Sequence, residues 1–249
     1  MPKYKAIIEY NGINYHGMQK QRDANIKTIQ GSIEDAISKF ANTPISIEYS
    51  GRTDSGVHAI GQVIHFILPI ERDEYKIIHG INFYLTNDDI IVKTIEKVDD
   101  DFHARFSAKN RRYLYRVLNT KFNSPLLTQR VYHYPYSVEI STMQDVANVL
   151  CGVKMDFAAF CSAESVNQVN TFKTLQDIKI ERRDDEIHFH YIAKSFLHNM
   201  IRIMTGVLLE VGRGTITKND VFKILQSRHR PDKCETAPAC GLYFMETVY

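Results

Sequence analysis

The stretch "YSGRTDSGVHAIGQVIHF" (Tyr49 to Phe66) gathers Arg52, Thr53, Asp54 and His58 around two glycines, Gly51 and Gly56, between two strand-like segments. Asp54 is its one acid. A Gly-flanked turn commonly holds a carboxylate that accepts hydrogen bonds from nearby backbone N–H groups, which is a structural use. A chemical use is also open. Glycines let a large planar molecule approach the backbone closely, and an acid projecting into that gap can act as nucleophile, general base or metal ligand. Metal ligation is the weakest of the three, because no second carboxylate or histidine stands at ligand spacing. His58 is nearest, and His188 and His190 share one face of a strand-like segment without an evident partner. The four cysteines, Cys151, Cys161, Cys234 and Cys240, show no CxxC pair or other zinc-like spacing and read as free thiols.

Such a loop needs elements to hold it. "KYKAIIEYN" reads as a strand, and a helix follows from about Thr28, its N-cap, with Ile29, Ile33, Ala36, Ile37 and Phe40 at helical spacing. "ISIEYS" alternates as a half-buried strand does, the Asp54 loop follows, and "GQVIHFIL" is the next strand. A weaker helical pattern from Glu71 to Leu85 and a strand, "DIIVKTIEKV", complete the first half. The second half opens on "RRYLYRVLN", with Tyr113, Tyr115 and Val117 on one face. A helix from about Ser141 carries Met143, Val146, Ala147 and Leu150, with Ser141 and Gln144 as a capping box and Gly152 as a stop. "DIKIERR" and "EIHFHYIAK" flank Asp184-Asp185 as a hairpin, and the best helix of the chain spans about Ser195 to Val211. A short helix near Asn219 to Gln226 and a final strand, "GLYFMETVY", follow.

Both halves thus read β-α-β-β-α-β, the ferredoxin-like order. The expected fold is α+β: two ferredoxin-like halves joined into one extended mixed sheet, with helices on one side and a central cleft. "VDDDFHARFSAKN" marks the crossing, so residues 1–104 form the expected domain carrying the Asp54 loop and residues 105–249 the second.

A chain of 249 residues suits one large or two compact domains. With 44% hydrophobic residues, 24% charged and no low-complexity run, it predicts a packed core rather than disorder. No stretch approaches the roughly 18 apolar residues of a membrane span, so the expectation is a soluble, cytoplasmic protein. The net charge of +2 does not by itself point to nucleic acid. Basic residues do cluster, at Lys109, Arg111, Arg112 and Arg116, at Arg182 and Arg183, and at Arg228, His229 and Arg230. A local basic surface can bind phosphates.

"GRTDSGVHA" resembles the signature loop of the tRNA pseudouridine synthase A family. The resemblance runs through "YHGMQKQ", "DFHARFSAKNRRYLYRV", "FLHNMIRIMTGVLLEVGRG" and "TAPACGLYF", in family order along nearly the whole chain. Three positions depart from the family pattern: Met18 stands where Trp is usual, Thr86 where Pro is common, and Lys173 where Arg is usual. These bear on RNA contact rather than on the acid loop.

The resemblance implies isomerisation of uridine to pseudouridine at nucleotides 38, 39 and 40 of the tRNA anticodon stem-loop, by a homodimer needing no cofactor and no metal. It makes Asp54 the essential acid, attacking the uracil ring or the sugar C1′ or assisting a glycal route. Arg202 becomes the cation that keeps Asp54 ionised, Arg52 an RNA or loop-bracing contact, Tyr113 the ring over the target base, and Leu242 a pocket wall. Two rivals are a non-catalytic RNA-binding protein on the same sheet architecture and a metal-dependent phosphohydrolase built on Asp54 and His58.

Overall fold

Alternation in KYKAIIEY sets Tyr4, Ala6, Ile8 and Tyr10 on one face, and in the computed structural model this segment is strand β1, Lys3–Tyr10, with those four side chains buried. The structure describes residues 1–23, 25–231 and 234–249. They form two units, Met1–Lys109 with Tyr243–Tyr249, and Asn110–Leu242.

In the first unit, α1 (Ile29–Ala41) begins where expected: the Thr28 side chain accepts from the Gly31 N–H, and Ile29, Ile33, Ala36 and Ile37 are buried. β2 is only Glu48–Tyr49, shorter than the alternation in ISIEYS suggested. β3, His58–Ile67, starts three residues before the expected GQVIHFIL segment. α2 is Glu74–Tyr84, capped by Asp73, and β4 is Ile90–Val98. β1 pairs antiparallel with both β3 and β4, and β2 pairs with the far side of β3, which is the ferredoxin-like strand order β4-β1-β3-β2. α1 packs on α2, and α2 along β4.

The second unit opens with β5, Asn110–Leu118, followed by short β6, Tyr132–His133, parallel to it. α3 is Ile140–Val149. Its cap is Glu139, whose carboxylate accepts from the Ser141 N–H, so the Ser141–Gln144 capping box does not form. Gln144 instead ties α3 to the sheet, donating to Ile178 O and accepting from Ile180 N, each at 2.8 Å. β7 (Lys154–Asp156), β8 (Phe172–Arg183) and β9 (Glu186–Ala193) complete an antiparallel run, β5-β9-β8-β7. The Asp184-Asp185 turn joins β8 to β9 as expected, Asp184 taking φ 52°.

Helix α4 is Met200–Gly212, five residues shorter at its start than its apolar spacing suggested. Asn199 takes the left-handed φ of 61°, which Asn tolerates and a helix does not continue through. α4 is buried on most sides, from Met200 to Val211, and packs on α3. α5 is Lys218–Ser227, opened by a Thr217–Asp220 capping box. Last comes β10, Leu242–Val248, whose Tyr243 and Phe244 pair in parallel with His58 and Ala59, so that residues 243–249 group with the first unit. The fold is α+β. Among the described residues no helix is long and apolar enough to cross a membrane.

Candidate active site

The Asp54 loop, residues 50–57, is anchored by its neighbours, and its acid is half-buried. At its start the Ser50 N–H donates to Val63 O at 2.8 Å, and the Ser50 hydroxyl to Gln62 Oε1 at 2.6 Å. The fully buried Gln62 donates in turn to Gly51 O at 2.8 Å. In the middle, Thr53 points inward: its hydroxyl lies 2.8 Å from the buried Tyr10 hydroxyl, and its carbonyl accepts from the Met18 N–H at 3.0 Å. Burial pushes the Tyr10 hydroxyl up to about 12, so it remains a protonated anchor at neutral pH. Thr53 is buried, whereas Arg52 is exposed and Asp54 half-buried.

The loop closes on a turn in which the Val57 N–H reaches Asp54 O at 3.2 Å and Gly56 takes φ +78°. Gly51 has no such left-handed conformation, so only one of the two flanking glycines is required by backbone angle. The close approaches belong to Gly12 and Gly17 instead: a Cβ at Gly12 would stand 1.9 Å from Val57 O, and one at Gly17, whose φ is +85°, 2.7 Å from Thr53 O. His58 is buried, its Nδ1 accepts from the Gly12 N–H at 3.2 Å, and its ring stacks on Tyr243 at 4.8 Å.

Tyr113, Arg202 and Leu242 belong to the second unit. β5 alternation buries both Tyr113 and Tyr115, and the two have different surroundings. Tyr115 is wholly enclosed, donates to Pro238 O at 2.6 Å, and is held far above the usual tyrosine range by burial. Tyr113 keeps 7% of its surface and sits edge-on to Phe196, centroids 5.2 Å apart. Arg202 is half-buried on α4 rather than a loose surface charge: its Nε donates to Ala237 O and its Nη1 to Asn199 Oδ1, both at 2.8 Å, while its own carbonyl accepts from the Ala237 N–H. Leu242, at the start of β10, is 6% exposed.

Several members of the basic clusters are engaged within the protein. Period-2 alternation buries Arg111, bonded to Lys194 O, and leaves Arg112 exposed. Arg116 is clamped to Glu186 through Nε at 2.9 Å and Nη2 at 2.6 Å. Arg228 pairs with Asp156 at 3.1 Å, and Arg230 donates to Thr236. His188 and His190, which lacked a partner in the sequence, have one in Glu181 of the neighbouring strand β8. The hairpin register set by Asp184-Asp185 was the signal that could have found it.

A family model described as tRNA pseudouridine synthase matches residues 6–107 and 147–249. The chain belongs to the tRNA pseudouridine synthase family. It is 42% identical over 253 residues to the tRNA pseudouridine synthase A of Acetivibrio thermocellus, covering 100% of both chains. It is 39% identical to that of Leuconostoc citreum, over 100% of this chain and 98% of the relative. For that of Anaplasma phagocytophilum the identity is 38%, over 99% and 100%. As a member of the family it is an isomerase that converts uridine to pseudouridine.

Proposed function

We propose that this synthase acts on uridines 38, 39 and 40 of the tRNA anticodon stem-loop, with Asp54 as the essential nucleophile. The observation that carries the proposal is the anchoring of the loop: Thr53 and Val57 are fixed on either side of a half-buried Asp54. A nucleophile needs that combination, because a misplacement of about 1 Å can cost about 100-fold in rate.

Uridine and pseudouridine contain the same atoms. The N1–C1′ bond breaks and a C5–C1′ bond forms; the proton on C5 leaves and N1 takes one up. No oxidant, reductant or net water is consumed, and the reaction requires no cofactor. Asp54 as carboxylate attacks carbon, at the uracil ring or at C1′, and is expelled when the new bond is complete. In this reading Arg202 supplies the positive charge that keeps Asp54 ionised, and Arg52 holds the RNA backbone. Tyr113 stacks on the target base at about 1–3 kcal/mol, and Leu242 forms an apolar wall.

A base within a stem must first leave its stack, at a cost of a few kcal/mol recovered from stacking and backbone contacts. A-form RNA offers shape and phosphates more than readable base edges, which suits an enzyme serving three adjacent uridines. The working form is proposed as a cytoplasmic homodimer, with residues 1–104 as the ferredoxin-like domain bearing Asp54 and residues 105–249 as the second. The test is Asp54→Asn, which keeps shape and removes the charge. It should bind tRNA with near-native affinity and form no pseudouridine at positions 38–40; normal conversion by this variant would refute the assignment.

A further inference from the structure

Among the described residues, Nδ1 of His188 on β9 is a buried imidazole nitrogen without a hydrogen-bond partner, and Nε2 of His190 on the same face has only Glu181 Oε1, 3.3 Å away. Native structures rarely leave such atoms unpaired without a reason. Alternation along β9 puts both rings on the face opposite the buried Ile187, Phe189 and Tyr191. The Asp184-Asp185 turn sets Glu181 of β8 directly across from His188. One ligand atom from each of Glu181, His188 and His190 lies within 4.8 Å of the others. Glu181 Oε1 stands 3.3 Å from His190 Nε2. Bonds of about 2.0–2.1 Å at a tetrahedral angle give a ligand–ligand edge of about 3.3–3.4 Å, so this pair is already spaced to share one ion.

The surroundings orient the same groups. His188 Nε2 is 2.8 Å from Glu186 Oε2, and Glu186 is held by the Arg116 fork. That carboxylate takes the Nε2 proton as its hydrogen bond and leaves Nδ1 as a bare lone pair, the arrangement by which an outer carboxylate fixes the tautomer of a metal-binding histidine. Glu181 is likewise fixed, by Arg183 Nε on Oε1 at 2.6 Å and by Lys179 on Oε2 at 2.5 Å. Arg183 Nη2 also reaches Oε1, so an ion there displaces one of the two Arg183 donors, whereas Oε2 keeps a second lone pair. The geometry points to a divalent transition-metal site formed by Glu181, His188 and His190, with water completing the coordination. Two imidazoles and one carboxylate select zinc, cobalt or nickel over magnesium or calcium, which prefer all-oxygen sites. The flanking Lys179 and Arg183 disfavour weakly bound ions still further. The ion cross-links β8 to β9 and has no part in the Asp54 reaction.

The test uses the full-length, untagged protein titrated with Co²⁺, followed by visible d–d absorption and calorimetry, with Zn²⁺ as competitor. One ion per chain is expected. His188→Ala and His190→Ala should each weaken binding by at least about 10-fold, and Glu186→Gln, which removes no ligand, by about 10–100-fold. His79→Ala, at an exposed histidine on α2, should leave binding unchanged. Zn²⁺ should raise the melting temperature of the native protein and not that of the His188→Ala/His190→Ala double variant. No bound Co²⁺ at saturation, or equal affinity in native and double-variant protein, overturns the site. Should either single variant fail to fold, Glu186→Gln decides: undiminished binding there overturns it as well.

Discussion

Removing the hydroxyl pair that seats the Asp54 loop should cost stability and rate in a pattern calculable from its surroundings. Tyr10 and Thr53 are 3% and 7% exposed, so water cannot replace a lost partner. Tyr10→Phe leaves the Thr53 hydroxyl buried without its 2.8 Å partner, which should cost about 2–3 kcal/mol, the upper part of the range for an unpaired buried polar group. Thr53→Val leaves the Tyr10 hydroxyl, which Gln62 also faces, so about 1 kcal/mol is expected. The double variant has neither orphan and two side chains of nearly the same shape. It should be clearly more stable than the sum of the singles, by a coupling of about 1–2 kcal/mol. Urea unfolding of the four proteins gives the cycle. The activity arm reads loop position: Tyr10→Phe should lower kcat about 10–100-fold with a smaller loss of tRNA affinity, because of the proposed RNA contacts only Arg52 shares this loop with Asp54. Additivity within about 0.5 kcal/mol would show that the hydroxyls are not coupled. The expected loss of stability with native kcat would refute the claim that this anchor positions the acid.

The pH dependence of stability should carry the signature of His65. It is 7% exposed, its Nδ1 accepts from the Ala104 N–H, and burial, with His103 and Lys3 nearby, pushes its pKa down to about 4 from the usual 6.5. Between those values the unfolded chain binds the proton and the folded chain does not, so stability is complete above about pH 6.5 and falls as pH drops toward 4, by up to about 3 kcal/mol. His65→Asn, which keeps an acceptor for Ala104, should flatten that slope in urea melts at pH 4.5–7; an unchanged slope assigns it elsewhere. Under the proposed charge coupling, Arg202→Ala moves the acid limb of kcat/KM to higher pH, whereas an unmoved limb removes Arg202 from that role.

How much was legible depended on whether the deciding interaction was local. The start of α1 follows from Thr28 and a residue three positions on, and the β8–β9 hairpin from a two-residue turn; both are written in neighbouring residues and both form as read. The Asp54 loop was legible as a turn bearing one acid because its glycine and carboxylate lie within a few positions. The errors came where a local pattern competed with a distant partner. Ser141 and Gln144 carry the spacing of a capping box, yet Gln144 is taken by the β8 backbone and Glu139 caps α3 instead. Apolar spacing continues upstream of Met200, yet Asn199 breaks the helix with a left-handed backbone.

The sequence by itself determined the α+β order, the family and the identity of the lone acid, since motif, spacing and hydrophobic period are properties of the chain. Tertiary structure alone decided what holds and surrounds those residues. Tyr10 meets Thr53 across 43 positions, Gln62 reaches back to Gly51, and Arg116 spends its charge on Glu186, 70 residues away. The reason is physical: a side chain's availability depends on which polar groups reach it once water is excluded, and those partners are chosen by strand register and packing rather than by sequence distance.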